Sequence, residues 1–297
     1  MTSINTNVGA LNARTNAINA TNKMESAMQR LSSGLRINSA ADDAAGLAVA
    51  GKMESQLKGI NMAVRNAQDG VGLIQTAESG LNEIRNMVLR IRELAVQMAN
   101  GIYENTPDRS NAQLEVTALI NQVTLIAENT RFNDVALLDG TFTTVTIQAG
   151  NTTSETIELS FIDVASSGLS IHAATVATQS DATVAMGTMD TALQTIASEQ
   201  AKFGSLINRL NFSVANLSKA SVMTEQAIGR VMDADFAQET TNLSKQQILN
   251  QAATSMLAQA NQSKQSILAL LNRSLSWVDS REGERGLSPS FFTYWSL

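Results

Sequence analysis

The longest regular pattern of the chain lies between residues 60 and 98, which read INMAVRNAQDGVGLIQTAESGLNEIRNMVLRIRELAVQM. Apolar residues recur in this stretch at steps of three and four, the spacing of a helix that packs along one coiled-coil seam. No proline interrupts it, so one continuous helix is allowed. The predicted seam comprises Ile60, Val64, Ala67, Val71, Ile74, Leu81, Ile84, Val88, Ile91, Ala95 and Met98.

The same spacing continues further along the chain. A shorter helix is predicted from Val116, Ile120, Val123 and Ala127. A second long helix is predicted from a seam that runs without a slip from Met189 to Val231. That seam comprises Met189, Leu193, Ile196, Gln200, Phe203, Ile207, Leu210, Val214, Leu217, Ser221, Thr224, Ile228 and Val231.

Both ends of the chain carry weaker seams, in which Ala, Asn, Ser and Thr replace many of the large apolar residues. We expect the two ends to lie together, because each apolar stripe needs a partner. Seams this weak barely offset the entropy of ordering, so the ends should be loose in a monomer and fold when many copies pack. The seams comprise Ile4, Val8, Leu11, Thr15, Ile18 and Asn22, then Leu249, Ala253, Met256, Ala260, Ser263, Ile267 and Leu270.

The first helix is expected to break near Gly34. A new helix is expected to begin at Ser39, with Asp42 completing a capping box. Between the two helical arms the apolar period changes to two, at Val145 and Ile147, at Ile157, Leu159 and Phe161, and at Leu169 and Ile171. We interpret residues 141–176 as short antiparallel strands. The predicted fold class is mainly α, with long coiled-coil-like helices from both chain ends and a small β-hairpin insert.

The composition excludes several classes of function. A formal net charge of -6 argues against nucleic acid and against an anionic membrane surface. No apolar run approaches the ~20 residues of a membrane span. The start, MTSINTNVGALNAR, lacks a basic region followed by an apolar block, so it is no Sec signal peptide. These tests alone would predict a cytosolic protein, although they are blind to other export signals.

The candidates for chemistry are weak. Asp42 and Asp43 have no histidine or third acid nearby in the sequence, and acids at a helix start favour the macrodipole. Gly70-Val71-Gly72 follows no strand, so a phosphate loop is not supported. Without cysteine, and with His172 as the sole histidine, the chain lacks the usual zinc ligands. We therefore expect no catalytic, cofactor or metal site, and no enzyme.

Several blocks of the sequence resemble bacterial flagellins. They are SINTNVGALNA near the start, LSSGLRINSAADDAAGLAVA (31–50), AENTRFNDVALLDG (127–140), FGSLINRLNFSVANL (203–217) and SKQQILNQAATSMLAQANQSKQSILALL (244–271). The resemblance covers residues 1–140 and about 186–273 and implies a secreted subunit of the flagellar filament. A hook–filament junction protein, which shares flagellin-like ends, is the first alternative, and a secreted coiled-coil binding module is a further one.

The resemblance also implies an organisation. Residues 1–41 and 228–273 correspond to a terminal filament-core domain, 42–140 and 177–227 to a helical rod domain, and 141–176 to the β insert. Export in unfolded form through the flagellar type III channel is implied, which needs no Sec signal. The implied partners are further copies of the chain, an export chaperone and the filament cap. Some relatives carry a metalloprotease in the insert, but its His-Glu-x-x-His motif is absent here.

A host receptor is a further implied partner. Residues 89–97, LRIRELAVQ, resemble the segment that Toll-like receptor 5 reads in flagellins. The resemblance assigns receptor recognition to Leu89, Arg90, Glu93, Leu94 and, further along, Glu115.

The last 24 residues, 274–297, depart from the family pattern. They hold five of the chain's twelve aromatic residues, including both tryptophans. Gly283, Gly286 and Pro289 disfavour a continued helix. We interpret this segment as an atypical C-terminal tail.

Overall fold

A computed structural model describes residues 6–283, with side chains described as far as residue 270. Helix α1 spans Val8–Ser33 and α2 spans Ala44–Met98. After a kinked turn at Asn105–Arg109, α3 spans Ser110–Asn129. Four short strands follow: β1 Arg131–Phe132, β2 Val135–Ala136, β3 Thr144–Gln148 and β4 Thr156–Ser160. Helices α4, Gln179–Met232, and α5, Phe236–Gly283, are the last described elements. The mainly α fold class is therefore confirmed.

The chain divides into two compact units. The first contains α1, the start of α2 up to Ala50, and the chain from Gly229 onward. The second contains residues Gly51–Ile228.

The break after α1 is confirmed, and the start of α2 differs from the prediction. Gly34 ends α1 in the left-handed conformation, with φ of 72°, which suits a residue without a Cβ. Helix α2 begins at Ala44, because the Asp43 carboxylate accepts the backbone N–H of Gly46 and caps the helix there. The predicted start at Ser39 is wrong: Asp42 and Ser39 bond to each other within the preceding turn.

The second unit is built around one apolar core. Its fully buried residues include Leu81, Ile84, Val88 and Ile91 of α2, Val116 and Val123 of α3, and Met189, Ile196 and Phe203 of α4. Residues of the predicted α2 seam thus form much of this core. On α4 the buried face is wider than one heptad seam: Ala192 and Leu206 are buried beside the half-buried Leu193 and Ile207.

The β insert is smaller than the sequence pattern predicts. Strands β3 and β4 pair antiparallel, with Val145 opposite Leu159 and Ile147 opposite Ile157, as expected. The prediction of a strand at Leu169 and Ile171 is wrong. Both side chains are buried, but the backbone here forms a turn, in which the Leu169 N–H donates to the Ala165 carbonyl. Helix α5 continues into the tail as far as Gly283, the first of the three residues that disfavour a continued helix. The rest of the tail lies outside the described residues.

Two features were not predicted from the sequence, the β1–β2 hairpin and the buried Arg109. Strands β1 and β2 form a hairpin whose turn residues, Asn133 and Asp134, both have positive φ, which Asn and Asp tolerate well. Arg109 is buried and donates to the carbonyl oxygens of Met98, Asn100 and Tyr103. It thereby satisfies carbonyl groups at and just beyond the end of α2.

Glycine has a packing role in the middle of α2. A Cβ atom on the buried Gly80 would lie 2.5 Å from Oγ1 of Thr130 and 3.0 Å from Cδ1 of Leu138. On the half-buried Gly72 a Cβ atom would meet no atom within 4 Å. Gly80 therefore gives the segment after α3 room to approach the helix.

This difference predicts opposite effects of the same substitution. We expect Gly80→Ala to lower the free energy of unfolding of the monomer by about 1–3 kcal/mol through overpacking. Gly72→Ala should raise it by up to ~1 kcal/mol, because alanine favours the helix and meets no obstacle. Urea unfolding followed by far-ultraviolet circular dichroism measures both variants. Equal stabilisation by the two would contradict the close approach at Gly80.

Candidate functional site

In the first unit, α1 and α5 pack antiparallel along a seam of small residues. The most buried side chains of α1 are Ala13, Ala20 and Ala27, and on α5 Ala253 is buried. Alanine lets two helix backbones approach closely but buries little apolar area. The predicted meeting of the two chain ends is confirmed.

Two hydrogen bonds and an ion pair between α1 and α5 fix how the two helices align. The Asn7 side chain donates to the Ala260 carbonyl at 3.1 Å, and the Asn250 amide donates to Thr21 Oγ1 at 2.7 Å. Near the other end, Nη1 of Arg30 lies 3.2 Å from a carboxylate oxygen of Glu239.

Large apolar residues of both helices remain exposed outside this seam. On α1, Leu11 is 62% exposed, and Val8 and Ile18 are also exposed. The exposed members of the predicted α5 seam are Leu249, Met256, Ile267 and Leu270. On α1 the buried face therefore differs from the predicted stripe, whereas on α5 the buried Ala253 belongs to the predicted seam. Ile4 lies outside the described residues.

A groove of about 910 Å³ runs along α1 and α5. Its lining is rich in alanine and asparagine, and it also includes two of the exposed apolar residues, Leu249 and Met256. The groove is open and carries few charges, so its shape suits a packed helix better than a small polar ligand. The full lining is Gly9, Asn12, Ala13, Asn16, Asn19, Ala20, Lys23, Gln246, Leu249, Ala252, Ala253, Met256, Gln259, Ala260 and Ser263.

The linkers beside this helix pair are tied together. The Arg36 N–H donates to the Met232 carbonyl, and the Ala234 N–H donates to the Gly34 carbonyl. The Asp42 carboxylate accepts bonds from the Ser39 hydroxyl and backbone and lies 3.6 Å from Arg30. These bonds, led by that of the Ser39 hydroxyl, lower the pKa of Asp42. The acids at 42 and 43 thus have structural roles in a turn and a helix cap.

The segment that resembles a receptor epitope lies on α2 in the second unit. Arg90 is exposed, and its guanidinium is 2.9 Å from the Glu115 carboxylate on α3 and 3.3 Å from that of Glu93. Hydrogen bonds to Glu115 first, and to Glu93 second, raise the pKa of Arg90. Leu89 is half-buried. Leu94 is only 4% exposed and belongs to the core, so its side chain is not available to a partner.

The buried charge of Glu199 on α4 was also not predicted. Glu199 lies on the core face of α4, between Ile196 and Phe203, and is fully buried. One carboxylate oxygen accepts from Lys202 Nζ at 3.0 Å, and the other has no hydrogen-bond partner among the described residues. The seam read from the sequence placed Gln200 at this point of the helix. A half-paired carboxylate in an apolar core opposes folding.

The described residues contain no group of three acids, histidines or cysteines that could hold a metal ion. His172 is exposed in a turn. Within residues 6–283, no helix is long and apolar enough to cross a membrane.

Paired terminal helices with exposed apolar stripes are typical of proteins that pack against other protein chains. A family model described as the bacterial flagellin N-terminal helical region matches residues 4–143. A second, the bacterial flagellin C-terminal helical region, matches residues 186–271. The chain belongs to the bacterial flagellin family, whose members are structural subunits of the extracellular flagellar filament.

Individual relatives agree with this assignment. The flagellin of Halalkalibacterium halodurans is 40% identical over 272 residues, which cover 90% of this chain and 99% of that protein. The flagellar filament 33 kDa core protein of Treponema phagedenis is 38% identical, with the same coverage of both chains. The structure of a putative flagellar hook-associated protein from Vibrio parahaemolyticus shares the fold alone, with a TM-score of 0.55 at 12% identity over 65% of this chain and all of that one.

Proposed function

We propose that this chain polymerises with copies of itself into a flagellar filament through the exposed stripes of α1 and α5. The observation that carries the proposal is that different residues of these helices are buried within one chain and left exposed on its surface. Alanines form the seam within one chain, while Val8, Leu11 and Ile18 on α1 remain outside it. Covering this apolar surface with further copies of the chain removes it from water, which is favourable. Leu249, Met256, Ile267 and Leu270 offer the corresponding surface on α5.

This assembly gives the segments of the chain separate roles. Residues 1–41 and 228–273 form the core of the filament, residues 42–140 and 177–227 form a rod domain, and residues 141–176 form the β insert. The resemblance to flagellins further supports export in unfolded form through the flagellar type III channel, a chaperone for the chain before export, and a cap at the growing tip.

Electron microscopy of the purified chain tests the proposal. Monomer at a fixed concentration is mixed with short filament seeds and imaged over time. Long helical filaments grown from this chain alone support the filament subunit. A chain that binds the seed ends without extending them would favour the hook–filament junction protein.

Recognition by Toll-like receptor 5 is a second proposal for this chain. It is supported by the resemblance of residues 89–97 and by the exposure of Arg90, Glu93 and Glu115. The ion pair of Arg90 with Glu115 holds the guanidinium in one place, which reduces the entropy lost on binding. Leu89 offers a half-buried apolar contact. We assign Leu94 to the support of this surface from inside the core.

The exposed arginine provides a direct test. We expect Arg90→Ala to weaken receptor activation by the monomer roughly tenfold, since truncating one member of a charged contact across an interface is costly. Arg85→Ala is the matched control, because Arg85 is also exposed and lies five residues earlier on α2, on another side of the helix. A reporter-cell assay over a range of monomer concentrations measures both variants. Equal activation by wild-type protein and Arg90→Ala would contradict the assignment.

A further inference from the structure

The chain's sulfur chemistry is confined to thioethers. It contains twelve methionines and no cysteine, so two-electron oxidants have no thiol to attack and react with exposed methionines instead. Among the described side chains, four methionines are exposed: Met28, Met62, Met223 and Met256. Met98 and Met189 are buried in the core of the second unit.

Met256 differs from the other three in its surroundings. It is 61% exposed and lines the groove along α1 and α5, where Leu249, Ala252 and Ala253 are its neighbours in the lining. Met28, Met62 and Met223 do not line this groove. The Met256 side chain is therefore open to an oxidant in the monomer and would be covered when a second copy fills the groove.

We propose that Met256 is an oxidation site at which peroxide blocks subunit packing, an inference that rests on the proposed polymerisation. Hydrogen peroxide delivers one oxygen atom to the thioether. An S–O bond forms, the O–O bond breaks, sulfur loses two electrons, and the second peroxide oxygen leaves as water.

The product is a polar sulfoxide on an apolar face. In the monomer this group stays in water, so α1 and α5 keep their alanine seam. In the filament the sulfoxide must be buried on an apolar face without a hydrogen-bond partner, and burial of such a polar group is unfavourable. Oxidation at this one atom therefore acts on assembly and spares the fold of the subunit.

Partial oxidation of the wild-type chain tests this without any substitution. Monomer is treated with enough peroxide to oxidise a fraction of each exposed methionine, the peroxide is removed, and polymerisation is seeded. Filaments are sedimented, and peptide mass spectrometry quantifies the sulfoxide at each methionine in pellet and supernatant. We expect Met256 sulfoxide to be roughly tenfold or more enriched in the supernatant. Met223 sulfoxide should divide evenly. Even division of Met256 sulfoxide would overturn the proposal.

A variant provides an independent measurement. Met256→Leu conserves volume and removes the thioether, so peroxide-treated Met256→Leu should polymerise as well as the untreated variant. Peroxide-treated Met223→Leu should remain inhibited, like the wild type. Inhibition of Met256→Leu would place the sensitive site elsewhere and overturn the proposal. Failure of untreated wild-type protein to polymerise would instead contradict the proposed function, so the two failures are distinguishable.

Discussion

Monomer that carries Leu11→Asp will not form filaments at concentrations at which the wild type assembles. In a single subunit the Leu11 side chain is 62% exposed and lies away from the alanine seam, so the charge meets water and the helix pair persists. In the proposed filament the same position is covered by another copy. The variant then loses about 1.5–3 kcal/mol of apolar burial and must also desolvate a carboxylate.

These effects recur in every subunit. A total of roughly 4 kcal/mol per subunit raises the concentration needed for assembly about a thousandfold. The measurement is the protein concentration that stays in the supernatant after seeded polymerisation. We expect Ile18→Asp to behave like Leu11→Asp, because both residues belong to the outward stripe of α1.

Gln29→Asp is the matched control for these variants. It adds the same charge to an exposed position of the same helix that is already polar. An acid near the C-terminal end of a helix is mildly unfavourable, so this control also tests whether a weakened α1 is enough to block assembly. Equal helix content of the monomers by circular dichroism would show that the subunits remain folded. If Leu11→Asp assembles like the control, the outward stripe has no part in subunit packing.

The sequence predicted where helices lie better than which face each one buries. The spacing of apolar residues located α2, α3 and α4, because a helix packed on one side must repeat every three to four residues. In the terminal helices the same rule selected Val8, Leu11 and Ile18, since their side chains are the largest. Within one chain the seam instead uses Ala13, Ala20 and Ala27. A single sequence does not separate a stripe that packs inside the subunit from one that is left for neighbouring copies.

The irregular segments were predicted less well, for local reasons. Leu169 and Ile171 alternate like strand residues, but a strand also needs a hydrogen-bonded neighbour, which the composition of a segment does not reveal. Before α2, Ser39 and Asp43 are both good capping residues, and the structure uses Asp43 as the cap. The candidate receptor residues came from resemblance, which did not distinguish the exposed Arg90 from the buried Leu94.

Glu199 gives the clearest case of a residue that opposes its own fold. Its side chain is fully buried, yet its Lys202 partner is half in water, which weakens their attraction. The second carboxylate oxygen has no partner among the described residues. The desolvation of this group is therefore only partly offset.

Replacing this carboxylate by an unbranched apolar side chain of similar length should stabilise the monomer. We expect Glu199→Met to raise the free energy of unfolding by about 1–3 kcal/mol, the cost of a buried polar group without a hydrogen bond, because Lys202 is half exposed and stays hydrated. Urea unfolding at neutral pH, followed by circular dichroism, provides the measurement. Glu225→Met is the control, because Glu225 is exposed on the same helix, and we expect a change within ~0.5 kcal/mol. A less stable Glu199→Met protein would mean that the ion pair with Lys202 outweighs the burial of the carboxylate.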